Sequence, residues 1–239
     1  MTGGDFALWV YLTQGPLLWL TVTLAAYAVA DALSARAGRH PLANPVLMSV
    51  AMVGGVLVAT GTEYATYFAG AQFVHFLLGP ATVALALPLW EHRALVRRSI
   101  VPMLAALVAG SVVAAVSALV IVRAFGAPEG VLVAIAPKSV TAGVAMSITE
   151  GQGGDPALTA VLVILTGMIG AVVVTPLMDA LGIRDYRARG FAVGLASHGI
   201  GTARAFQVDP VAGTFAGIAI GLNAVMTAVI VPVLLGLMR

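Results

Sequence analysis

Long apolar runs, separated by short polar or Gly- and Pro-containing stretches, dominate the chain. They fall at about 8–30, 45–60, 67–90, 100–122, 131–148, 157–181, 190–206 and 211–237. A helix needs roughly 20 residues to cross the hydrocarbon core of a bilayer. The second, fifth and seventh runs are short or interrupted by Gly and Pro, and the third is broken at Gly79-Pro80. Membrane β-strands alternate polar and apolar residues, and these runs do not. The pattern predicts an all-α, polytopic integral membrane protein with about 7–8 hydrophobic segments, some discontinuous or re-entrant.

Composition sharpens this reading. Hydrophobic residues make up 60% of the chain and charged residues 9%, against roughly 45–50% and 25% in soluble domains. With no cysteine, disulfides, thiolate metal sites and cysteine nucleophiles are excluded. The start, Met1-Thr2-Gly3-Gly4-Asp5, lacks the basic region of a signal peptide, so the first run is expected to remain as a helix. No linker or low-complexity stretch interrupts residues 1–239, which are expected to form one integral membrane domain.

The loop charges set a topology. Of twelve Lys and Arg residues, eight sit in three loops: Arg36 and Arg39; Arg93, Arg97 and Arg98; Arg184, Arg187 and Arg189. The loops around Glu63 and around Glu150 and Asp155 contain no cation. The positive-inside rule places the three basic loops in the cytoplasm and the acidic ones outside. Two apolar runs separate the first two basic loops, but three separate the second from the third. The conflict is removed if 131–148 enters from outside, turns near Ala136-Pro137 and leaves on the same face.

That same run contains Pro137-Lys138-Ser139-Val140-Thr141, a lysine and a proline in an otherwise apolar segment. An ionisable group at membrane depth is costly and marks a site or pathway. Backbone groups freed beside a proline must be buried in protein or line a wet cavity. The rival reading of Lys138, snorkelling to the outer interface, is disfavoured by the proline before it. A weak echo accompanies this motif: Pro80 and Pro137, and Gly110 and Gly167, stand 57 residues apart. Transporters are often built from such repeats, with broken helices meeting near the midplane.

A second polar cluster is Ser197-His198-Gly199-Ile200-Gly201-Thr202-Ala203-Arg204. Helical spacing puts Gly190, Gly194, His198 and Thr202 on one stripe, where the glycines admit a neighbouring backbone. Gly199-Ile200-Gly201 has neither the preceding strand nor the acidic partner of a dinucleotide site, and no nucleophile elbow surrounds Ser197. Without a metal cluster or an acidic pair, no enzyme, cofactor or metal site is expected. Gly213, Gly217 and Gly221 form a GxxxG stripe read as helix packing, with Asn223 beside it as an interhelical hydrogen bond.

Leu78-Gly79-Pro80-Ala81-Thr82-Val83-Ala84-Leu85-Ala86, Pro137–Thr141 and Ala196–Arg204 together resemble the LrgB/CidB family of bacterial membrane proteins. That family is similar to the membrane portion of the plastid glycolate/glycerate transporter. The likeness runs from about Asn44-Pro45 to the C-terminus. It implies a multi-pass protein of the inner or plasma membrane that transports small 2-hydroxy or 2-oxo monocarboxylates such as glycolate, glycerate or pyruvate. An alternative attached to the family is a holin- or antiholin-like regulator of murein hydrolases and lysis. The resemblance also implies a separate, small LrgA/CidA-like membrane partner. A homo-oligomer is compatible with it, and no nucleic-acid partner is expected.

The residues themselves suit a small anion. A carboxylate in a low-dielectric pocket needs a counter-charge, and Lys138 supplies a compact ammonium. Half-helix N-termini after Pro80, Pro137 and Gly199 would direct N–H groups at the same ligand, with Gly201 leaving room beside it. Thr82, Ser139, Thr141, Ser197 and Thr202 offer hydroxyls, although each commonly bonds back to its own helix. His198 is the candidate carrier of a coupled proton. Arg204 is read as an interface residue, with a carboxylate clamp as the alternative.

Overall fold

The computed structural model describes residues 15–40, 43–77, 80, 83–84 and 86–238. Among them the chain is helical, with no strand: α1 (Pro16–Arg36), α2 (Pro45–Thr60), α3 (Tyr64–Phe76), α4 (Ala86–Glu91), α5 (Arg93–Arg98), α6 (Ile100–Ala124), α7 (Glu129–Ile135), α8 (Ala142–Gly151), α9 (Pro156–Ala180), α10 (Tyr186–Val208) and α11 (Pro210–Met238). Four of them, α1, α6, α9 and α11, have the length and apolarity to cross a membrane. At 1.5 Å per residue, the 25 residues of α6 and of α9 reach about 38 Å, beyond the ~30 Å hydrocarbon core. The outward faces of α6, α9 and α11 carry exposed Val113, Val161, Ile169 and Val225, an arrangement suited to lipid rather than water.

Helix starts follow from local chemistry. Asn44 Oδ1 accepts from the N–H groups of Val46 and Leu47 at 2.9 and 3.2 Å, with Pro45 opening α2. Asp155 caps α9 in the same way, and Asp209 caps α11. Each oxygen satisfies donors that the first helical turn leaves unpaired, and each Pro fills a position needing no N–H donor.

The chain forms two compact units, one up to Ala86 and one from Leu87 onward. In the first, α2 and α3 pack on α1. Gly70 lies against the backbone of Pro16 and against Trp19, where any Cβ would overlap. Trp19 is buried and stands edge-on to Tyr67, ring centroids 5.9 Å apart. Leu78, Gly79, Ala81 and Thr82, and with them the break expected at Gly79-Pro80, lie outside the described residues.

The second unit alternates long helices with helical hairpins. Helices α6 and α11 run in the same direction. Met103 and Leu107 cluster with Phe215 and Ala219, Ser111 bonds Asn223, and Ala115 and Leu119 meet Val231 and Leu235. The short helices α7 and α8 form the first hairpin. It descends from Glu129 beside the far ends of α6 and α11, turns at Ala136–Thr141 and returns, so that Gly154 packs on Val133.

Helix α10 is the second hairpin. Its backbone leaves helical geometry at His198, φ 43° and ψ −138°. A Cβ on Gly201 would lie 3.1 Å from Val193 O, whereas a straight helix would separate residues eight apart by about 12 Å. The arm before His198 therefore runs alongside α11, with Gly190 against Ala212 and Gly194 against Ala216, and the arm after it folds back. Helix α9 runs opposite to the first arm: Gly170 faces Ser197, Val174 packs on Val193, and Asp179 pairs with Arg189.

Adding 57 to the bounds of α6 and of the first hairpin gives 157–181 and 186–208, against Pro156–Ala180 and Tyr186–Val208. The offset in the sequence is thus the spacing of two span-plus-hairpin units. Because α6 and α9 run in opposite senses, the units are inverted relative to each other. The glycine stripes need correction. Gly190 and Gly194 do admit a neighbouring backbone, but His198 turns away from that face toward α9. On α11, Gly213 packs against Phe206 of the returning arm of α10, as helix packing asks, while Gly221 has open space around it; Ala212 and Ala216 meet the glycines of the first arm.

Candidate functional site

The two hairpin tips come together near the middle of α6, α9 and α11. Asn223, 1% exposed, is the tie. Its Nδ2 donates to Ser139 O of the first tip at 3.1 Å and to Leu195 O, in the first arm of the second hairpin, at 3.0 Å. Its Oδ1 accepts from Ser111 Oγ at 2.7 Å and from Thr227 Oγ1 at 3.1 Å. All four hydrogen-bonding positions of one amide are thus used. The pattern is costly to disrupt, because each orphaned group would remain buried.

Beside this tie lies a cavity of about 500 Å³ lined by Lys138 and Ser139 of the first tip, Ser197 of the second, and Thr166 and Gly170 of α9. It follows α9 from Thr166 to Met178, toward the end of the unit where Asp179 and Arg189 pair. The half-buried Lys138 directs Nζ to Ala114 O and to Ser139 Oγ, both at 3.2 Å. Its third N–H is left for another acceptor. Among the described residues no carboxylate pairs with this ammonium. Ser197, 1% exposed, lines the same cavity.

His198 sits next to that lining. Its Nε2 donates to Val163 O at 2.8 Å, and since a carbonyl only accepts, Nε2 carries hydrogen and Nδ1 is left as the acceptor. A Cβ on Gly167 would fall 2.7 Å from Nε2, and one on Gly170 would overlap Ser197 Oγ. These two glycines make the seat for the second tip. A non-glycine residue at φ 43° is strained, at a cost on the order of 1–3 kcal/mol, and persists only where its surroundings over-determine it. Here the seat, the Val163 bond and the packing of Gly201 under Ser197 do so.

Pro137 is fully buried in the first tip, and Thr141 is the half-buried residue preceding α8, with no side-chain cap bond. Gly199 has open space around it. Thr202 Oγ1 donates to His198 O at 3.0 Å, which bonds the hydroxyl back to its own hairpin. Arg204 is buried on the returning arm and donates to Gln207 Oε1 at 3.5 Å. Neither Thr202 nor Arg204 lines the Lys138 cavity. Thr82 lies outside the described residues. The structure adds Ser111, Ala114, Thr166 and Gly170. The available sequence signals for these are isolated hydroxyls and a glycine inside apolar runs, which are common in packed membrane helices.

At the arginine-rich end, Asp185 caps the first turn of α10 through Arg187 N at 2.8 Å and pairs with the Arg187 side chain. The guanidinium beside it holds the Asp185 carboxyl below the ordinary carboxylate range. Arg189 reaches Ile183 O and Asp179. These contacts fix the entry of the second hairpin.

Residues 23–237 match the LrgB-like family. YwbG, an uncharacterized protein of Bacillus subtilis, is 34% identical over 82% of this chain and 87% of its own length. The holin-like protein CidB of Staphylococcus epidermidis is 29% identical over 92% of this chain and 95% of its own, and that of Staphylococcus aureus 30% over the same shares. No solved structure matches the chain. With four apolar helices of spanning length and a family match over nearly the whole sequence, this chain is a multi-pass plasma-membrane protein belonging to the LrgB family.

Proposed function

We propose that this protein is a secondary transporter of small 2-hydroxy or 2-oxo monocarboxylates. The observation that carries the reading is the meeting of two inverted hairpin tips at a cavity with one uncompensated ammonium, Lys138. In this reading the tips are discontinuous membrane helices at mid-depth, a common site architecture in transporters. The substrate carboxylate takes the third N–H of Lys138, aided by the N-terminal N–H groups of α8. Ser139 and Ser197 address the oxygen on the second carbon. The larger set, with Pro137, Thr141, Gly199, Gly201, Thr202 and Arg204, shapes and supports the tips. His198 carries a coupled proton on Nδ1. The cavity's course along α9 corresponds to a state open toward the arginine-rich, cytoplasmic side, and rocking of one inverted unit against the other would open the opposite side.

The test is uptake of labelled glycolate, glycerate and pyruvate into proteoliposomes, with and without a pH gradient. Saturable uptake that discriminates between these acids is expected. His198→Gln should flatten its pH dependence while exchange of bound substrate persists, because exchange needs no net proton movement. A second reading is favoured by the holin-like names of the staphylococcal relatives: a pore or regulator acting in lysis, alone or with a small LrgA/CidA-like partner. It predicts unsaturable passage of unrelated solutes, and function that survives loss of Lys138.

A further inference from the structure

We propose a second binding site, for an anionic phospholipid, in the groove between α6 and the first arm of α10. This groove, about 510 Å³, is walled by Met103, Ala106 and Gly110 of α6, Phe191 and Leu195 of α10, and Phe215 of α11. At its mouth stand Arg98, Arg187 and Asp185. Arg187 is held by Asp185, whereas exposed Arg98 forms no ion pair among the described residues. The mouth is therefore net positive and the walls are apolar, the two-part chemistry of a phosphate head on an acyl chain.

The dimensions agree with one leaflet. Arg98 closes α5, and from Ile100, where α6 begins, to Gly110 is ten helical steps, about 15 Å along the axis. Half of a ~30 Å hydrocarbon core is about 15 Å. A chain anchored at Arg98 would thus end near mid-depth, where Leu195 closes over Gly110. The arginine-rich end lies on the cytoplasmic side by the positive-inside rule, and basic pockets between helices on that side suit anionic head groups. Ala192 lines both this groove and the Lys138 cavity, so the lipid and the substrate cavity would flank the same hairpin arm.

The test uses the full chain in detergent, titrated with phosphatidylglycerol, phosphatidylcholine or inorganic phosphate, and reads bound lipid by native mass spectrometry. It measures no flux, so it stands or falls apart from the transport reading. Phosphatidylglycerol should be retained in preference to phosphatidylcholine, and phosphate should not displace it. Arg98→Gln, at an exposed position that leaves the fold intact, should weaken retention about fivefold, the effect of one basic residue near an anionic surface. Arg123→Gln, at the opposite end, should leave it unchanged. Ala106→Trp keeps both arginines, fills the groove and should abolish retention. Equal retention of the two lipids, displacement by phosphate, or indifference to both Arg98→Gln and Ala106→Trp would overturn the site.

Discussion

The two hairpins reach the same depth by different means. The first is two short helices joined by Ala136–Thr141, with a buried proline and a lysine at the turn. The second reverses at a single residue, His198, with neither proline nor cation at its tip. Pro137 cannot donate the N–H that would continue the first arm, so the first break has a local cause. The second is imposed from outside, by the glycine seat on α9 and by Gly201 fitting beneath Ser197. The first tip thus supplies charge, and the second supplies shape.

The largest expected effect falls on the charge. Lys138→Met keeps most of the apolar stem and removes the ammonium. If the lysine pairs with the substrate carboxylate, the loss is roughly 3–5 kcal/mol, at least a hundredfold in affinity. Lys138→Arg should rescue poorly, because a planar fork does not replace a compact ammonium. Substrate affinity at matched membrane abundance is the measurement, and near-wild-type affinity of Lys138→Met would remove the lysine from the site.

Shape comes next. Gly170→Ala puts a methyl onto Ser197 Oγ, and such overpacking costs typically 1–3 kcal/mol. Gly143→Ala, in the returning arm of the first hairpin, meets open space and should be neutral or slightly stabilising, since alanine is the better helix former. Thermal unfolding in detergent separates the two. Equal effects would mean that the second tip is not held by its seat.

The tie between the tips is weaker still. Asn223→Leu leaves Ser139 O and Leu195 O without their donor. Interhelical hydrogen bonds in membranes average about 0.6 kcal/mol each, so the expected loss is about 1–2 kcal/mol in unfolding, with a larger loss of uptake as the tips part. If uptake and stability fall in step, Asn223 is only a packing residue.

The smallest effect is expected at the bend. His198→Gly relieves the positive φ but loses the Val163 bond, two terms of similar size and opposite sign. Unfolding should shift by less than about 1 kcal/mol, whereas His198→Val, β-branched in the same conformation, should be markedly destabilised. A neutral His198→Val would mean that the bend does not persist in the protein.

The apolar runs and the proline–lysine tip were legible in the sequence because each rests on local chemistry, and the 57-residue spacing because it recurs along the chain. A bilayer demands length and apolarity from each span separately, and a proline withholds its N–H wherever it stands, although α9 and α11 run on through Pro176 and Pro232. A break around Gly199–Gly201 was legible, and the backbone leaves helical geometry one residue before it, at His198; that the chain folds back on itself there was not legible. Residues 186–197 and 199–208 are each good helix, and nothing within them says that Gly201 must lie beside Val193. Nor could the sequence bring Lys138, Ser139, Thr166 and Ser197 to one cavity, or distinguish Asn223 from any other amide in an apolar helix. Those depend on which helices run parallel and where glycines let backbones approach, and packing between distant segments decides both.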